Sequence, residues 1–266
     1  MRAAIHVNGA AHQSANARAM RAGLERHGVE VVHAAVDVPV LCDFAVIWGW
    51  RQPAVSANGP TLVMERGYIG DLENRRRWTS LGWDGLNGRA RRPSPDAGER
   101  WDAHFETMMQ APRDGGAYVL LAGQCRGDRA VAGTNIALWA RDTARQLQEL
   151  TDLPIRFRPH PQELSPWDVH GVATSDRTLA EDLAEAAFVV TFNSNAGVDA
   201  ALAGVPVVAV DEGAMAWPIA AHELTATPVL PGRRTWATQL AFCQWTAQEI
   251  ETGEAWEALR ECMTAD

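Results

Sequence analysis

Short apolar runs alternate with amphipathic stretches along most of this chain. Ala3–Val7 reads as a buried strand, the polar loop NGAAHQS follows, and the apolar spacing predicts a helix over Ala15–His27, stopped by Gly28. VEVVHA predicts a second strand. DFAVIWGW (Asp43–Trp50) and TLVMERGY (Thr61–Tyr68) predict two more, each an apolar run ending in polar residues. Strands separated by helices or crossover loops imply a parallel sheet with helices on its faces.

From Gly70 to Arg100 the period is lost and Gly, Arg, Trp and Asn dominate, which predicts a long functional loop. A helix is predicted from near Asp96 to before Pro112, and APRDGG (Ala111–Gly116) as an interdomain linker. A second alternating series follows. AYVLLAG is a strand, TNIALWARDTARQLQEL a helix capped near Thr134 or Asn135, and PIRFRPH a strand. TLAEDLAEA is a helix, FVVTF a strand, AGVDAALA a helix stopped by Gly204, and VPVVAV a strand, before one or two amphipathic helices over Trp236–Glu261. The expected fold class is therefore α/β: two Rossmann-like domains facing a cleft, with C-terminal helices. Residues 1–112 form the first domain, carrying the excursion 70–100, and residues 113–266 the second, carrying the terminal helices. In such sheets ligands bind outside the carboxyl ends of the strands.

Composition narrows the chemistry. Of 266 residues 47% are hydrophobic, enough for a real core, and the net charge of -9 provides no global field toward nucleic acid or an anionic membrane. A local basic patch stays open. All 24 basic residues are arginine, which excludes a lysine Schiff base and a P-loop lysine. A bound phosphate must then be held by Arg, His, hydroxyls, backbone N–H groups or a metal. Cys42, Cys125, Cys243 and Cys262 are scattered without a CxxC pair, as expected of reduced thiols in a cytoplasmic protein. The first apolar run is too short for a signal peptide, and no apolar segment approaches the ~18 residues of a membrane span.

Four polar stretches follow strands of the second series. In VVTFNSNAGVDAALAGVPVVAV (Val189–Val210) a strand gives way to Asn193, Ser194 and Asn195 and then to a helix. Its first N–H groups would be unpaired, and Gly197 would admit a ligand close to the backbone. Ser194 or Asn195 acting only as a helix cap is the plainer alternative. RFRPHPQE delivers Arg158 and His160 to a strand end, with prolines on both sides of His160 restricting its backbone. LLAGQCRGDRAVAG supplies Gln124, Arg126 and Asp128 as a phosphate-and-ribose loop, without a GxGxxG fingerprint. In VDEGAMAWP, Asp211 and Glu212 leave the last strand, either to take sugar hydroxyls or as a solvated turn.

RPHP, then FVVTFNSNAGVDAALAGVPVVAV, then an acidic-glycine turn resembles the carboxy-terminal domain of GT-B glycosyltransferases, nearest to the capsule-polysaccharide (Kdo-transferase-like) and bacterial sialyltransferase groups. The resemblance covers roughly residues 117–220. It implies a transferase that moves a sugar from a nucleotide-activated donor, UDP- or CMP-linked, to an acceptor hydroxyl, with no cofactor and no metal site. His160 would contact the donor phosphate, and Ser194 with the N–H groups after it would bind it too. Asn-Ser-Asn stands where such families often show paired Ser or Thr. Growing charge on the leaving nucleotide would be met by Arg158, His160 and the helix start.

The acceptor hydroxyl needs a base from the amino-terminal domain. Glu65 at a strand end ranks first, Asp71 second and Asp84 third; pairing of Glu65 with Arg66 or the Arg75–Arg77 run is the structural alternative. His12 and Ser14, in the first βα loop, would line the acceptor side. ENRRRWTSLGWDGLNGRARRP (Glu73–Pro93) interleaves Arg75, Arg76, Arg77, Arg89, Arg91 and Arg92 with Trp78 and Trp83. That pattern suits a phosphate backbone with stacked bases, a glycan, or a surface loop whose tryptophans are buried. Within it, GWDGLNGRA resembles stretches in phage-encoded glycosyltransferases, which implies hydroxymethylated bases of phage-type DNA as acceptor, a polysaccharide being the other choice. A sugar-nucleotide epimerase and a non-catalytic nucleotide-sugar-binding module are the rival functions.

Overall fold

The computed structural model describes residues 1–36, 38–50, 59–70, 75–93, 95, 97–165, 167–226 and 228–263. The chain divides into two compact units, one of residues 1–102 with 238–266 and one of residues 103–237.

The first unit is built on β1 (Arg2–His6), β2 (Glu30–Ala34), β3 (Phe44–Trp48), β4 (Thr61–Arg66), β5 (Trp78–Trp83) and β11 (Gln244–Thr246), in the order β11-β5-β4-β3-β1-β2. β1 to β4 pair in parallel, whereas β5 runs antiparallel to β4 and β11 antiparallel to β5. β3, inside the parallel part of the sheet, is apolar and buried at all five positions, whereas β2 at the edge is exposed or half-buried throughout. Helix α1 (Ala11–Arg26) lies in the first crossover, four residues longer at its start than the apolar spacing predicts.

Two elements differ from expectation. The region 70–100 includes β5, a strand paired along its length with β4 and β11, where the sequence predicts loop. The terminal segment joins the first unit, where the sequence places it with the second. Helices α7 (Ala247–Thr252) and α8 (Glu254–Arg260) bring Ile250, Trp256 and Leu259, with Trp245 of β11, into one cluster with Phe44, Met64 and Trp83. The physical reason is close approach: a Cβ on Gly23 of α1 would stand 2.0 Å from the Ile250 carbonyl oxygen, so only glycine lets these helices pack.

The second unit carries β6 (Tyr118–Ala122), β7 (Ile155–Arg158), β8 (Ala173–Thr174), β9 (Ala186–Thr191) and β10 (Val207–Ala209), all parallel, in the order β10-β9-β6-β7-β8. Counted within the unit this is order 5-4-1-2-3, the doubly wound arrangement whose topological switch point lies between β6 and β9. Helices α3 (Ile136–Leu150), α4 (Leu179–Glu185) and α5 (Ala196–Leu202) are the crossovers. Asn135 caps α3 by accepting the Leu138 N–H, and Thr178 with Glu181 forms a full capping box on α4. The helix predicted from Asp96 is shorter: α2 (Glu99–His104) is followed by a single 3-10 turn, and Asp96 lies outside the described residues. Ala111–Gly116 runs along the second unit, with the Arg113 N–H donating to the Gly204 carbonyl, and the chain crosses between units at 102/103 and at 237/238. Helix α6 (Arg233–Ala241) contains the latter crossing.

Candidate functional site

At the carboxyl edge of the second sheet, side chains from four adjacent strands form a continuous hydrogen-bonded ridge. Gln124 follows β6 and Asn193 follows β9, on the two sides of the switch point. The Gln124 amide donates to Asn193 Oδ1 at 2.7 Å and accepts the Asn193 backbone N–H at 3.0 Å. Asn193 Nδ2 in turn donates to Asp211 Oδ1 beyond β10 and to the Ala130 carbonyl, each at 2.7 Å. On the other side Cys125, the residue after Gln124, places its sulfur 3.0 Å from Nδ1 of His160, which follows β7. His160 and the Ser194 turn are thus connected through two consecutive residues of the central strand's loop.

The loop bearing His160 is clasped to that of Cys125. Gly123 donates its N–H to the Arg158 carbonyl at 2.8 Å, and the Arg126 N–H donates to Glu163 Oε2 at 2.7 Å. The Arg126 guanidinium reaches the Ser165 carbonyl at 2.6 Å. Burial pushes the His160 imidazole below the ordinary histidine range, with Asp128 and Glu163 opposing and Arg158 assisting. Burial raises the Cys125 thiol, and Glu163 and Asp128 raise it further. The two Glu163 carboxylate oxygens accept the Arg126 and Ser165 backbone N–H groups, which hold this carboxyl below its ordinary value.

Several expected donor ligands are otherwise employed. Arg158 turns to Asp182 of α4 at 2.8 Å and to the Arg177 carbonyl, and Asp182 is fully buried with Ser175 donating to it. Arg158 therefore serves a buried ion pair. The start of α5 has no open first turn: Ala196 N–H donates to Ser194 Oγ, Gly197 N–H to the Ser194 carbonyl, and Val198 and Asp199 N–H both to the Asn195 carbonyl. The expectation of unpaired N–H groups there fails because the turn closes on itself. Ser194 Oγ accepts the Ala196 N–H from its place just before the cap residue Asn195, and as a hydroxyl it also has a proton to donate. Gly197 is tightly packed: a Cβ there would stand 3.3–3.4 Å from Ala216, Thr191 and Val207, which would have to yield by a few tenths of an ångström. Asp128 caps the short turn Arg129–Val131, and Asp211 Oδ1 also accepts the Gly213 N–H. Arg126 is exposed but tied to the His160 loop, and Glu212 is exposed.

In the first unit Glu65 sits near the carboxyl end of β4, half-buried, its Oε1 accepting the Arg66 N–H at 3.1 Å. Its Oε2 lies beside Gly49, just past β3, 3.4 Å from where a Cβ would stand. His12 of α1 contacts the Trp48 ring edge-on at 5.0 Å, and Ser14 is half-buried in the same turn. Glu65, Gly49, Trp48 and His12 thus mark the carboxyl edge of β3 and β4. Asp84 is at the opposite end of β4, where it accepts the Thr61 N–H at 2.7 Å and pairs with Arg91 at 2.9 Å, so it is a turn residue. Asp71 lies outside the described residues.

Of the two tryptophans in the Arg/Trp segment, Trp83 belongs to the core. Trp83 is fully buried, donates its indole N–H to the Leu259 carbonyl at 2.9 Å and packs edge-on against Phe44. Trp78 is half-buried in β5, with the Arg100 guanidinium 5.4 Å from its ring. Arg76, Arg77 and Arg89 are exposed and Arg75 is half-buried. Residues that the sequence reading passed over are Cys125, Glu163 and Asp182; the first lacked a cysteine partner and the others lie in unremarkable loops or helices. Among the described residues no group of three or more His, Cys, Asp or Glu is placed to hold a metal ion, and no helix is long and apolar enough to cross a membrane.

Two α/β units with parallel-rich sheets, the second doubly wound, make this a fold of the GT-B type. It is similar to a solved structure described as Thermosulfurimonas dismutans KpsC, beta Kdo 2,7 transferase, with a TM-score of 0.62 and 12% identity over 97% of this chain and 99% of that one. It is also similar to the KpsC beta Kdo 2,4 transferase of that organism, with a TM-score of 0.58 and 16% identity over 90% of this chain and 89% of the other. No protein-family model and no curated protein matches the sequence. At these identities the likeness speaks for the fold.

Proposed function

We propose that this chain is a glycosyltransferase that transfers a sugar from a UDP- or CMP-linked donor to an acceptor hydroxyl. The observation that carries the reading is the polar ridge Asp211–Asn193–Gln124–Cys125–His160 along the switch-point edge of the second sheet. In doubly wound sheets that edge is where nucleotides bind. In the reaction the bond from the anomeric carbon to the donor phosphate breaks, a bond to the acceptor oxygen forms, and the acceptor proton passes to a base. His160 would donate to the departing phosphate, and the Ser194 hydroxyl would assist it. Glu65 is the base candidate of the first unit, half-buried at a strand end. The Kdo transferases among the similar structures make a Kdo-type sugar the first donor to try.

A glycan hydroxyl is the favoured acceptor over DNA. Burial of Trp83 removes one of the two tryptophans on which the DNA reading depends. DNA binding would show itself as affinity falling steeply with salt, whereas a neutral glycan would be nearly indifferent.

The test is titration with UDP and CMP, followed by turnover of their sugar conjugates with glycan acceptors and with DNA bearing hydroxymethylpyrimidines. Transfer by the wild type, and its loss in His160→Ala with the fold retained, is the expected result. Epimerised donor without acceptor would select an epimerase, and binding without any turnover a sugar-nucleotide-binding module. A fully active His160→Ala would remove His160 from the site.

A further inference from the structure

The contact between Cys125 and His160 admits two opposite chemistries. In one, an imidazolium donates from Nδ1 to a thiolate, making a nucleophilic sulfur. In the other, a neutral thiol donates to an unprotonated Nδ1. The backbone decides between them. The Gln162 N–H points at the same Nδ1 at 3.2 Å, and a peptide N–H can only donate. Nδ1 must therefore be an acceptor, and the proton of the neutral ring sits on Nε2. That nitrogen has no hydrogen-bond partner among the described residues and is not sealed in the interior.

We propose that Cys125 is a positioning residue: its S–H and the Gln162 N–H together occupy the Nδ1 lone pair of His160 and fix the Nε2–H tautomer, so that the ring offers a neutral donor to a phosphate oxygen. The assignment of that oxygen to a nucleotide-sugar rests on the reading given above; the tautomer and the role of the thiol do not. The loop supports the arrangement, because Gly123, Arg126 and Glu163 hold the two turns together on either side of the sulfur–nitrogen contact. The charged groups around the ring are Asp128 and Glu163, which favour its protonation, and Arg158, which opposes it. With burial they leave the imidazole neutral and the thiol protonated near neutral pH. The chain holds eight histidines, so the ring must be identified individually.

Ring nitrogen–proton correlation spectra of the full chain, with the His160 signal identified by its loss in His160→Gln, test this directly. The wild type is expected to show the Nε2–H tautomer. Cys125→Ala removes one of the two donors to Nδ1, so the His160 titration midpoint should rise by about half a unit, the equivalent of a weak hydrogen bond, while the Gln162 N–H keeps the proton on Nε2. Cys125→Ser keeps a donor and should restore the wild-type behaviour. An Nδ1–H ring in the wild type, or an unchanged midpoint in folded Cys125→Ala, would overturn the proposal. Iodoacetamide labelling of wild-type Cys125, read by mass spectrometry against pH, needs no variant: a rate that rises only above the ordinary thiol range is expected, and one already on its plateau below neutral pH would reveal a thiolate and sink the idea. Failure of the wild type to bind UDP or CMP would count against the glycosyltransferase reading while leaving these spectra to stand.

Discussion

Gln124 and Asn193, 69 residues apart, exchange two hydrogen bonds across the switch point of the second sheet, side chain to side chain at 2.7 Å and backbone to side chain at 3.0 Å. Each is only 4% exposed, so each amide is a structural part of the edge and the geometry of the Ser194 turn depends on it. Replacing Asn193 by Ala leaves the Gln124 amide, the Ala130 carbonyl and an Asp211 oxygen short of a partner. The expected loss is about 1–3 kcal/mol, read from urea midpoints. Asn193→Asp should cost more near neutral pH, because it sets a carboxylate against Asp211, and should partly recover in mild acid as the two carboxyls come to share a proton.

The ion pair between Arg158 and Asp182 separates a structural from a ligand-binding arginine. Arg158→Met would leave Asp182 buried without its nearer cation, since Arg156 stands 3.7 Å away. Breaking such a pair costs about 3–5 kcal/mol. Stability should fall by that order, while nucleotide affinity of the folded variant stays within about twofold of wild type. A large loss of affinity in a variant of unchanged stability would return Arg158 to the donor site.

Trp83 distinguishes a core strand from a binding surface. Its ring is fully buried between Phe44 and Trp256, at centroid distances of 5.5 and 6.4 Å. Trp83→Ala should destabilise the first unit by about 3–5 kcal/mol in chemical unfolding. If the residue instead acted in an exposed acceptor platform, the variant would melt like the wild type and lose only acceptor affinity.

Acid stability of the first unit should depend on Glu249. This carboxyl pairs with Arg100 at 2.5 Å and accepts the Thr246 N–H at 2.6 Å. Desolvation raises its proton affinity, but the hydrogen bonds from Arg100 and Thr246 together outweigh that and hold it below the ordinary glutamate range. A carboxyl depressed in the folded state adds stability that is fully present above its unfolded value, about 4.3, and is lost as pH falls through the lower folded value. Urea midpoints of the wild type should therefore decline across that acid window, and those of Glu249→Gln should decline less. Equal slopes would show that Glu249 is not the group responsible.

Local pattern was enough for the parallel strands other than β8 and for their crossovers. β6 and β9 are continuous apolar runs because helices cover both faces, and α4 announces itself through Thr178 and Glu181 within one turn. The position of Glu65 and His160 at strand ends was readable for the same reason: a strand's polar exit is a feature of adjacent residues. β5 and β11 were not readable. WTSLGW is interrupted by Ser80 and Gly82, QWT is only three residues long, and both become strands by pairing with each other and, for WTSLGW, with β4.

What the chain's one-dimensional order determined was the α/β alternation, the absence of lysine and the polar exits that nominate a phosphate site. What only the tertiary structure decided was the use of each polar group. Asp182 claims Arg158, the Ser194 turn satisfies its own helix start, and an isolated cysteine becomes the partner of His160. A buried donor or acceptor is compelled to find a partner wherever the fold brings one within reach. That partner is set by proximity in space, which spacing along the chain does not encode.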